Sequence, residues 1–215
     1  MTQKADERFT PRDFKIPFDP FMRHYERYFQ SVKLLGELGI GQKWLDCACG
    51  AGYGSSFLSN FCSFVVGYDI DPFIVEYAIK NYKSDHVDFT KDLKKHKEDF
   101  DVVMSVETIE HMPQVEANGF LTTLRKCLNE NGTLVITTPI VKQTNYSPTN
   151  EFHFVEYSDK DFRKLLEDAD FIVVDSRFVE TTFTDGETKD QGYYKCKKAC
   201  MYDKIELLET NSRRI

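Results

Sequence analysis

Long apolar segments are missing from this sequence. No run approaches the roughly 18 uninterrupted apolar residues that a membrane-spanning helix needs. The first residues, MTQKADERFTPRD, also lack the apolar core of a secretory leader. We therefore expect a protein without a membrane span that resides in the cytoplasm.

A surplus of positive charge is missing as well. The chain carries 28 lysines and arginines against 35 acids, and its formal net charge is -7. Binding to DNA or RNA needs a surplus of basic residues to neutralise phosphates. The charge balance therefore argues against a nucleic acid as the main partner.

The six cysteines show none of the spacings of a metal clip. Neither Cys47 with Cys49 nor Cys196 with Cys200 forms a C-x-x-C pair, and no histidine or second cysteine pair stands near enough to complete a zinc site. Most of the cysteines lie in apolar or strand-like runs, which favours buried, reduced thiols over disulfides. The sequence therefore predicts no structural metal on its cysteines.

What the sequence does contain is an alternation of strand-type and helix-type segments. The strand-type segments are KWLDCA, SFVVGYDI, HVDFT, FDVVMSV, TLVITTP, DFIVVDSRFVE and GYYKCKKA. Such alternation predicts an α/β fold with a Rossmann-like, doubly wound, mostly parallel sheet of seven strands and helices on both faces. The last two strands are expected to pair as an antiparallel hairpin.

The same pattern sets the expected boundaries. Residues 1–40 form an N-terminal segment with a cap helix, residues 41–200 form the main domain, and residues 201–215 form a C-terminal tail. In a doubly wound sheet, ligands bind beyond the carboxyl ends of the strands, where the strand order reverses. This rule points to the loops after Asp46, Tyr68 and Val106.

The stretch LDCACGAGYGSS follows the first predicted strand. Gly50, Gly52 and Gly54 are spaced G-x-G-x-G, which weakens a dinucleotide site because that site needs G-x-G-x-x-G. A Walker loop is excluded, since no Gly-Lys-Ser/Thr follows. Asp69 ends the next strand, where a carboxylate can accept hydrogen bonds from both hydroxyls of a ribose. The loop is therefore expected to hold a ligand that carries a ribose.

Several segments, in order, resemble the motifs of class I S-adenosylmethionine-dependent methyltransferases. WLDCACGAGYGS is similar to their first motif, Asp-x-Gly-x-Gly-x-Gly, with Ala48 in place of one glycine. VVGYDIDP resembles the acidic second motif, VDFTKDL the third, FDVVMSVETIEHM the fourth and LVITTP the fifth strand. HYERY, ETIEH and FHFVEYS resemble a subgroup associated with glycan and lipopolysaccharide biosynthesis. The resemblance implies S-adenosylmethionine as the cofactor.

The resemblance also implies a cofactor-binding set that spreads over these motifs. Two alternatives stay open: Asp92 is a solvated turn acid if its motif, which is one residue short, does not align, and Tyr28 lies in an aromatic stripe that is also typical of a core. The methionine end of the cofactor is expected near Asp46, Ala48, Gly50 and Gly52, the ribose near Asp69, and the adenine near Ile70, Asp92 and Leu93, with Arg27, Tyr28, Ser105 and Glu107 completing the set.

Two histidines are the candidates for acid–base chemistry. A hydroxyl acceptor must lose its proton as it attacks, and a histidine or carboxylate within hydrogen-bond reach can remove it. His111 follows the fourth strand, and His153 ends a long connection of the kind that forms lids or binding loops. The alternatives are a pocket-shaping or helix-capping role for His111 and a backbone-bonded loop histidine for His153. The predicted catalytic residues are His111, His153 and Glu110, and the predicted substrate contacts are Asn145, Tyr146, His153 and Tyr157.

The sequence thus predicts a methyltransferase that acts on an oxygen of a glycan or another small polar acceptor, with a histidine as general base. Two alternatives stay open: a methyltransferase of another small molecule, nucleoside or protein, and a cofactor-binding regulator without catalysis. No metal is assigned, although Glu107, Glu110 and His111 include metal-ligating groups. A homo-oligomer is compatible with the sequence, which does not indicate an oligomeric state.

Overall fold

The computed structural model describes residues 19–36, 41–182 and 188–200. The predicted segment before residue 19 and the predicted tail, residues 201–215, lie outside the described residues. Within these ranges, the helices are α1 (Asp19–Leu35), α2 (Tyr53–Leu58), α3 (Pro72–Tyr82), α4 (Gln114–Cys127) and α5 (Asp159–Asp168), with a 3-10 turn at Ile109–His111. The strands are β1 (Lys43–Cys47), β2 (Phe64–Tyr68), β3 (Val87–Thr90), β4 (Phe100–Val106), β5 (Leu128–Ile140), β6 (Phe171–Thr182) and β7 (Thr188–Lys198).

The strands form one sheet in the order β3-β2-β1-β4-β5-β7-β6. Neighbours from β3 to β5 pair in parallel, whereas β7 lies antiparallel to both β5 and β6. Because β1 lies between β2 and β4, the strand order reverses at β1, and the loops after these strands lie at the same edge of the sheet. The predicted mostly parallel, doubly wound sheet with a terminal antiparallel hairpin is confirmed.

Apolar side chains of the helices cover both faces of the sheet. On one face, α1 and α2 pack over β1 and β4 in a cluster that includes Tyr28, Val32 and Trp44. On the other face, α4 and α5 pack through side chains such as Leu121 and Phe162. Burying one such side chain stabilises the fold by about 1.5–3 kcal/mol. The sheet is therefore the shared core, and none of the described helices is long and apolar enough to cross a membrane.

Two helices begin at side-chain caps that their sequences indicate. Asp71 Oδ1 accepts a hydrogen bond from the backbone N–H of Phe73 at 2.9 Å, and Pro72 is the first residue of α3. Ser158 Oγ accepts from the backbone N–H of Asp161 at 3.2 Å, at the start of α5. A cap of this kind typically stabilises a helix by about 1 kcal/mol.

The stretch NENG, residues 129–132, has the asparagine and glycine residues of a turn that closes a helix, but it does not form one. Helix α4 ends at Cys127 and β5 begins at Leu128, so the stretch lies within β5. The pairing of β4 with β5 shifts register here. A Cβ added at Gly132 would lie 3.1 Å from the backbone oxygen of Phe100. Glycine therefore permits a close approach of the two strands that turn chemistry alone does not reveal.

Candidate active site

Asp46 is fully buried near the carboxyl end of β1. Ser55 Oγ donates a hydrogen bond to its Oδ2 at 2.7 Å, and Tyr28 Oη donates to its carboxylate at 3.2 Å. Burial raises the pKa of Asp46 to about 6, against the opposing effect of these hydrogen bonds. The carboxylate thus joins α1 and α2 to β1. Its predicted contact with the methionine end of a cofactor stays a prediction.

Ser55 lies at this site, although the sequence analysis did not single it out. It occupies the position where a dinucleotide loop would carry its third glycine. In the structure it supplies the shortest hydrogen bond to Asp46. A buried carboxylate needs donors close by in space, and a hydroxyl on the first turn after a glycine loop is the signal that could have found it.

The two central glycines of the loop differ in their surroundings. Both have positive φ, +52° at Gly50 and +89° at Gly52. A Cβ at Gly52 would lie 2.8 Å from both Ala78 and Phe89, whereas a Cβ at Gly50 would meet nothing within 4 Å. Gly52 therefore lets the loop pack against α3 and β3, while Gly50 borders open space in which a ligand can approach the backbone. Ala48, just before them, is partly buried.

Asp69 stands one residue after β2 and is 4% exposed. Its Oδ2 accepts from the backbone N–H of Gly50, and its Oδ1 accepts from that of Asp71, both at 3.0 Å. The carboxylate therefore links the loop after β2 to the glycine loop after β1. Its neighbour Ile70 is 80% exposed, so an apolar surface is available beside Asp69 for the predicted adenine contact.

Asp92 and Leu93 have unlike environments. Asp92 is exposed, and its Oδ1 accepts from the backbone N–H of Lys94 at 2.9 Å, as in a turn. Leu93 is partly buried against the core. This geometry is that of the turn-acid alternative, and the predicted contact of both residues with the adenine edge stays a prediction.

Arg27 and Glu107 form an ion pair between α1 and the loop after β4. Arg27 Nε lies 3.3 Å from Glu107 Oε2, with the side chains 13% and 9% exposed. Glu107 Oε1 also accepts from Thr137 Oγ1 at 2.8 Å and from Gln191 Nε2 at 2.5 Å. The pair thus fixes α1 across the carboxyl edge of the sheet. Thr137 and Gln191 were not predicted as site residues, because they lie far from Glu107 in sequence.

His24 is a further residue at this edge that the sequence analysis did not single out. Its Nδ1 lies 3.0 Å from Tyr53 Oη, at the start of α2. Burial, followed by the charge of Arg27, lowers the pKa of His24 to about 3. With this pKa the ring of His24 is neutral near pH 7, and it contacts the first residue of the helix that follows the glycine loop.

Glu110 and His111 lie in the 3-10 turn after β4, and they contact the segment that contains His153. The backbone oxygen of Glu110 accepts from the N–H of Phe154 at 2.7 Å, and His111 Nδ1 lies 3.1 Å from the backbone oxygen of Phe152. The rings of His111 and His153 meet edge to face with centroids 5.0 Å apart. The structure therefore brings together all three predicted catalytic residues.

His153 is held by a carboxylate that was not predicted. Its Nδ1 lies 2.9 Å from Glu156 Oε1, and Lys189 Nζ lies 3.0 Å and 3.1 Å from the two oxygens of Glu156. The hydrogen bond from His153 and the charge of Lys189 lower the pKa of Glu156, although its burial opposes the shift. The H-x-x-E spacing in FHFVEYS was the available signal, whereas Lys189 on β7 gave none.

The Glu110 carboxyl group is fully buried and only half satisfied. Thr138 Oγ1 donates to Oε2 at 3.1 Å, and Oε1 has no hydrogen-bond partner among the described residues. Burial, with a smaller effect from the charge of Glu107, raises the pKa of Glu110 well above its usual value. Ser105 on β4 is also fully buried, and its Oγ likewise has no partner in the described part of the chain.

The predicted substrate residues do not form one surface. Tyr146 is 59% exposed, whereas Tyr157 is 1% exposed and packs against Phe162 with ring centroids 5.6 Å apart. Asn145 pairs through its backbone with Glu156, at 2.8 Å and 2.9 Å. Asn145, Glu156 and Lys189 line a groove of about 710 Å³ beside His153. The groove thus contains one predicted contact, Asn145, together with Glu156 and Lys189, which were not predicted.

Solved structures with this fold include enzymes with different substrates. A Synechocystis PCC 6803 magnesium protoporphyrin IX methyltransferase with bound S-adenosylhomocysteine is 20% identical, with 86% of this chain and 88% of that chain covered and a TM-score of 0.68. A Burkholderia thailandensis 1,6-didemethyltoxoflavin-N1-methyltransferase, bound to its substrate and S-adenosylhomocysteine, is 17% identical, with coverages of 85% and 82% and a TM-score of 0.66. The cyclase SpnF is 14% identical, with coverages of 80% and 81% and a TM-score of 0.64. At these identities the likeness shows the fold alone.

Two further comparisons rest on the sequence. No curated protein matches the chain significantly. The methyltransferase domain family matches residues 21–176, which include α1, the glycine loop and the segment with both histidines. This match, together with the fold shared with proteins that bind S-adenosylhomocysteine, supports S-adenosylmethionine as the cofactor. The chain belongs to the methyltransferase domain family.

Proposed function

We propose that this enzyme transfers a methyl group from S-adenosylmethionine to a hydroxyl oxygen of a sugar or glycan, with His153 as general base. The observation that carries the proposal is the contact of His111 with His153 at the same sheet edge as the glycine loop. Each ring has its Nδ1 engaged, by the Phe152 carbonyl and by Glu156 respectively. A neutral ring that donates through Nδ1 has its lone pair on Nε2.

The residues at the edge fit the cofactor. Gly50 borders open space with its backbone at a positive φ, which suits a ligand that approaches the main chain. The Asp69 carboxylate lies against the same loop and has the acceptor oxygens that a ribose diol needs. The buried Ser105 Oγ offers a polar atom that the described residues leave unpaired. When bound, S-adenosylmethionine supplies a methyl group on a sulfonium, whose leaving group is a neutral thioether.

His153 removes the proton of the acceptor hydroxyl at Nε2. Glu156 holds the opposite side of the ring and stabilises the imidazolium that forms, in the manner of a carboxylate–histidine pair. His111, in edge-to-face contact with His153, orients the acceptor. Because an alcohol is a weak nucleophile until its proton is being removed, the base supplies a rate factor of about 10²–10⁴.

The groove beside His153 supports a sugar-like acceptor. It is lined by side chains that donate and accept hydrogen bonds, among them Asn145, Thr149 and Lys189. Tyr146 adds an exposed aromatic ring next to Asn145. Hydroxyl-rich ligands need such convergent polar groups for orientation. A large apolar acceptor would instead favour an apolar lining.

The proposal also places the enzyme in the cytoplasm. Cys47 and Cys49 are buried free thiols, which persist in reducing compartments.

The test is a methyl-transfer assay with isotopically labelled S-adenosylmethionine and a panel of nucleotide sugars and short glycans. We expect the label on an oxygen of a sugar, located by mass spectrometry and NMR. Label that appears only on nitrogen, carbon, a nucleobase or a protein would overturn the glycan proposal. Calorimetry with S-adenosylhomocysteine and with NAD checks the cofactor separately, and only the former is expected to bind.

A matched pair of histidine variants tests the base. His153→Gln should lower kcat by about 100-fold or more and leave the affinity for S-adenosylhomocysteine unchanged. His86→Gln is the control, since His86 is exposed near the opposite end of the sheet, with Nδ1 bonded to the Ser63 carbonyl. Full turnover by His153→Gln would remove His153 from the mechanism without touching the cofactor assignment.

A further inference from the structure

We propose that Glu110, His111 and His153 form a binding site for one divalent transition-metal ion. The ligand atoms of these three side chains all lie within 4.8 Å of one another. Two histidines and one carboxylate are a donor set that suits Zn²⁺, Fe²⁺, Co²⁺ or Mn²⁺ and not Ca²⁺ or Mg²⁺, which prefer oxygen ligands. The inference departs from the sequence analysis, which assigned no metal.

The ligand atoms of the three side chains lie only slightly farther apart than in an occupied metal site. Ligand bonds of about 2.1 Å in tetrahedral geometry place donor atoms roughly 3.4 Å apart. From 4.8 Å, the donor atoms would have to approach one another by at most about 1.4 Å, which small adjustments of the two partly exposed histidine side chains would have to supply. The backbone already fixes the two segments to each other, since the Glu110 carbonyl accepts from the N–H groups of Phe154 and Val155 at 2.7 Å and 3.4 Å.

Glu110 provides an independent reason to expect a cation. Its side chain is 0% exposed, and Oε1 has no hydrogen-bond partner among the described residues, although Oε2 accepts from Thr138. A buried carboxyl oxygen without a partner costs about 1–3 kcal/mol, and more if charged. The proposed transfer of the acceptor proton to His153 does not involve Glu110, so it does not explain a buried carboxyl group at this position. A cation within reach of Oε1 would compensate its burial.

The groups around the histidines match the outer shell of a metal site. A metal-bound histidine almost always donates its second ring nitrogen to a carboxylate or a backbone carbonyl, which fixes the ring and its tautomer. His153 has this arrangement with Glu156, and His111 has it with the Phe152 carbonyl. Because Nδ1 is engaged in this way in both rings, Nε2 is the nitrogen that would act as ligand. Lys189 in turn holds Glu156.

Such a site would change how the acceptor is activated. Three protein ligands leave at least one position for water or a hydroxyl, whose pKa the cation lowers. The two histidines would then be ligands, so His153 Nε2 would not act as the base, and the proton of a metal-bound hydroxyl would pass to solvent water. This consequence rests on the proposed function, whereas binding of the ion does not.

The test measures metal binding without any acceptor or methyl donor. Protein freed of metal by a chelator is titrated with Zn²⁺ by calorimetry and with Co²⁺ by visible absorption. We expect one ion per chain and a Co²⁺ spectrum of nitrogen and oxygen ligands. Absence of binding would overturn the proposal, as would an intense sulfur-to-cobalt band, which would place the ion on the cysteines.

The variants Glu110→Gln and His153→Gln should each lower the Zn²⁺ affinity by at least about 10-fold, and His86→Gln should leave it unchanged. Circular dichroism shows whether each variant folds. If Glu110→Gln fails to fold, the partly exposed His153 still decides the matter. Wild-type affinity in folded His153→Gln would overturn the proposal. Methyl transfer by chelator-treated protein would leave the proposed function intact and exclude a role of the ion in it.

Discussion

The glycine-loop region and the histidine region lie at the same edge of one sheet, but they are built in opposite ways. In the glycine-loop region, formed by the loops after β1 and β2, both oxygens of Asp46 and of Asp69 accept hydrogen bonds. In the histidine region, formed by the turn after β4 and the segment around His153, Glu110 Oε1 is unpaired among the described residues. Among the described residues, the carboxylates of Asp46 and Asp69 in the first region have partners, whereas the second region contains a buried carboxyl oxygen without one.

The difference indicates how each region meets its ligand. Satisfied carboxylates hold a loop in one shape, so the glycine-loop region offers the cofactor a preformed surface, which reduces the entropy cost of binding. An unpaired buried oxygen destabilises the protein alone, so the histidine region would gain stability from a ligand that supplied a partner to Glu110 Oε1. We therefore expect cofactor binding to tolerate changes around the histidines and to fail when the glycine-loop carboxylates are removed.

The largest expected effect concerns Asp69. Asp69→Ala should weaken S-adenosylhomocysteine binding by about 100-fold, close to 2.7 kcal/mol, because it removes two charge-assisted acceptors. Calorimetry measures the affinity. Asp88→Ala, which removes a half-exposed carboxylate of β3 that pairs with Lys83, is the matched control and should bind normally. Equal affinities for both variants would break the comparison, since the glycine-loop region would then not depend on its carboxylate.

Asp46→Asn should have the next largest effect. The quantity that changes is the free energy of unfolding. The pKa of Asp46 is raised to about 6 in the folded protein from 3.8, so the unfolded chain ionises first as the pH rises. In the wild type, protonated Asp46 makes its full contribution to stability below the pKa of the unfolded state. This contribution is lost as the pH rises through the pKa of the folded state. Asparagine does not titrate, so the variant should gain about 2 kcal/mol relative to wild type between roughly pH 4.5 and 7.5. Urea unfolding of both proteins at both pH values measures this, and a pH-independent difference would contradict it.

The glycine-loop region was predictable from the sequence because its parts are local. Gly50, Gly52 and Asp69 belong to short motifs whose residue types follow from tight turns and hydrogen bonding to a ribose. The parallel sheet was equally predictable, since periodicity and turn residues mark each strand. The end of α4 could not be predicted in this way, because the turn-like residues up to Gly132 belong to β5, where β4 approaches closely.

The histidine region was predictable only as a set of candidates. His111 and His153 were singled out by residue type, but their contact depends on how the segment after β5 folds back onto the turn after β4. Lys189 comes from β7 and reaches Glu156 only through the antiparallel hairpin. Such contacts follow from the tertiary fold, and a single sequence carries no pattern for them.

Gly54→Ala tests whether the packing of Tyr28 against α2 stabilises the glycine-loop region. A Cβ at Gly54 would lie 2.1 Å from Tyr28 Cζ, so Tyr28 must move away from Asp46. Overpacking of this kind costs about 1–2 kcal/mol of stability. Gly119→Ala is the control, because that exposed position in α4 has nothing within 4 Å, and alanine there should gain up to about 1 kcal/mol. Thermal unfolding measures the stability of both variants. Equal changes in Tm would show that the packing of Tyr28 does not stabilise the loop.

The smallest expected effect is that of Asp92→Ala, at the margin of the glycine-loop region. Asp92 is exposed, and its Oδ1 accepts from the backbone of Lys94, so a hydrogen bond to an adenine there competes with water and contributes well below 1 kcal/mol. We expect S-adenosylhomocysteine affinity to fall by less than about 3-fold, with exposed Asp85→Ala as the control. A loss as large as that of Asp69→Ala would show that the preformed surface extends to the loop after β3, because an exposed turn acid can matter that much only if the cofactor covers it.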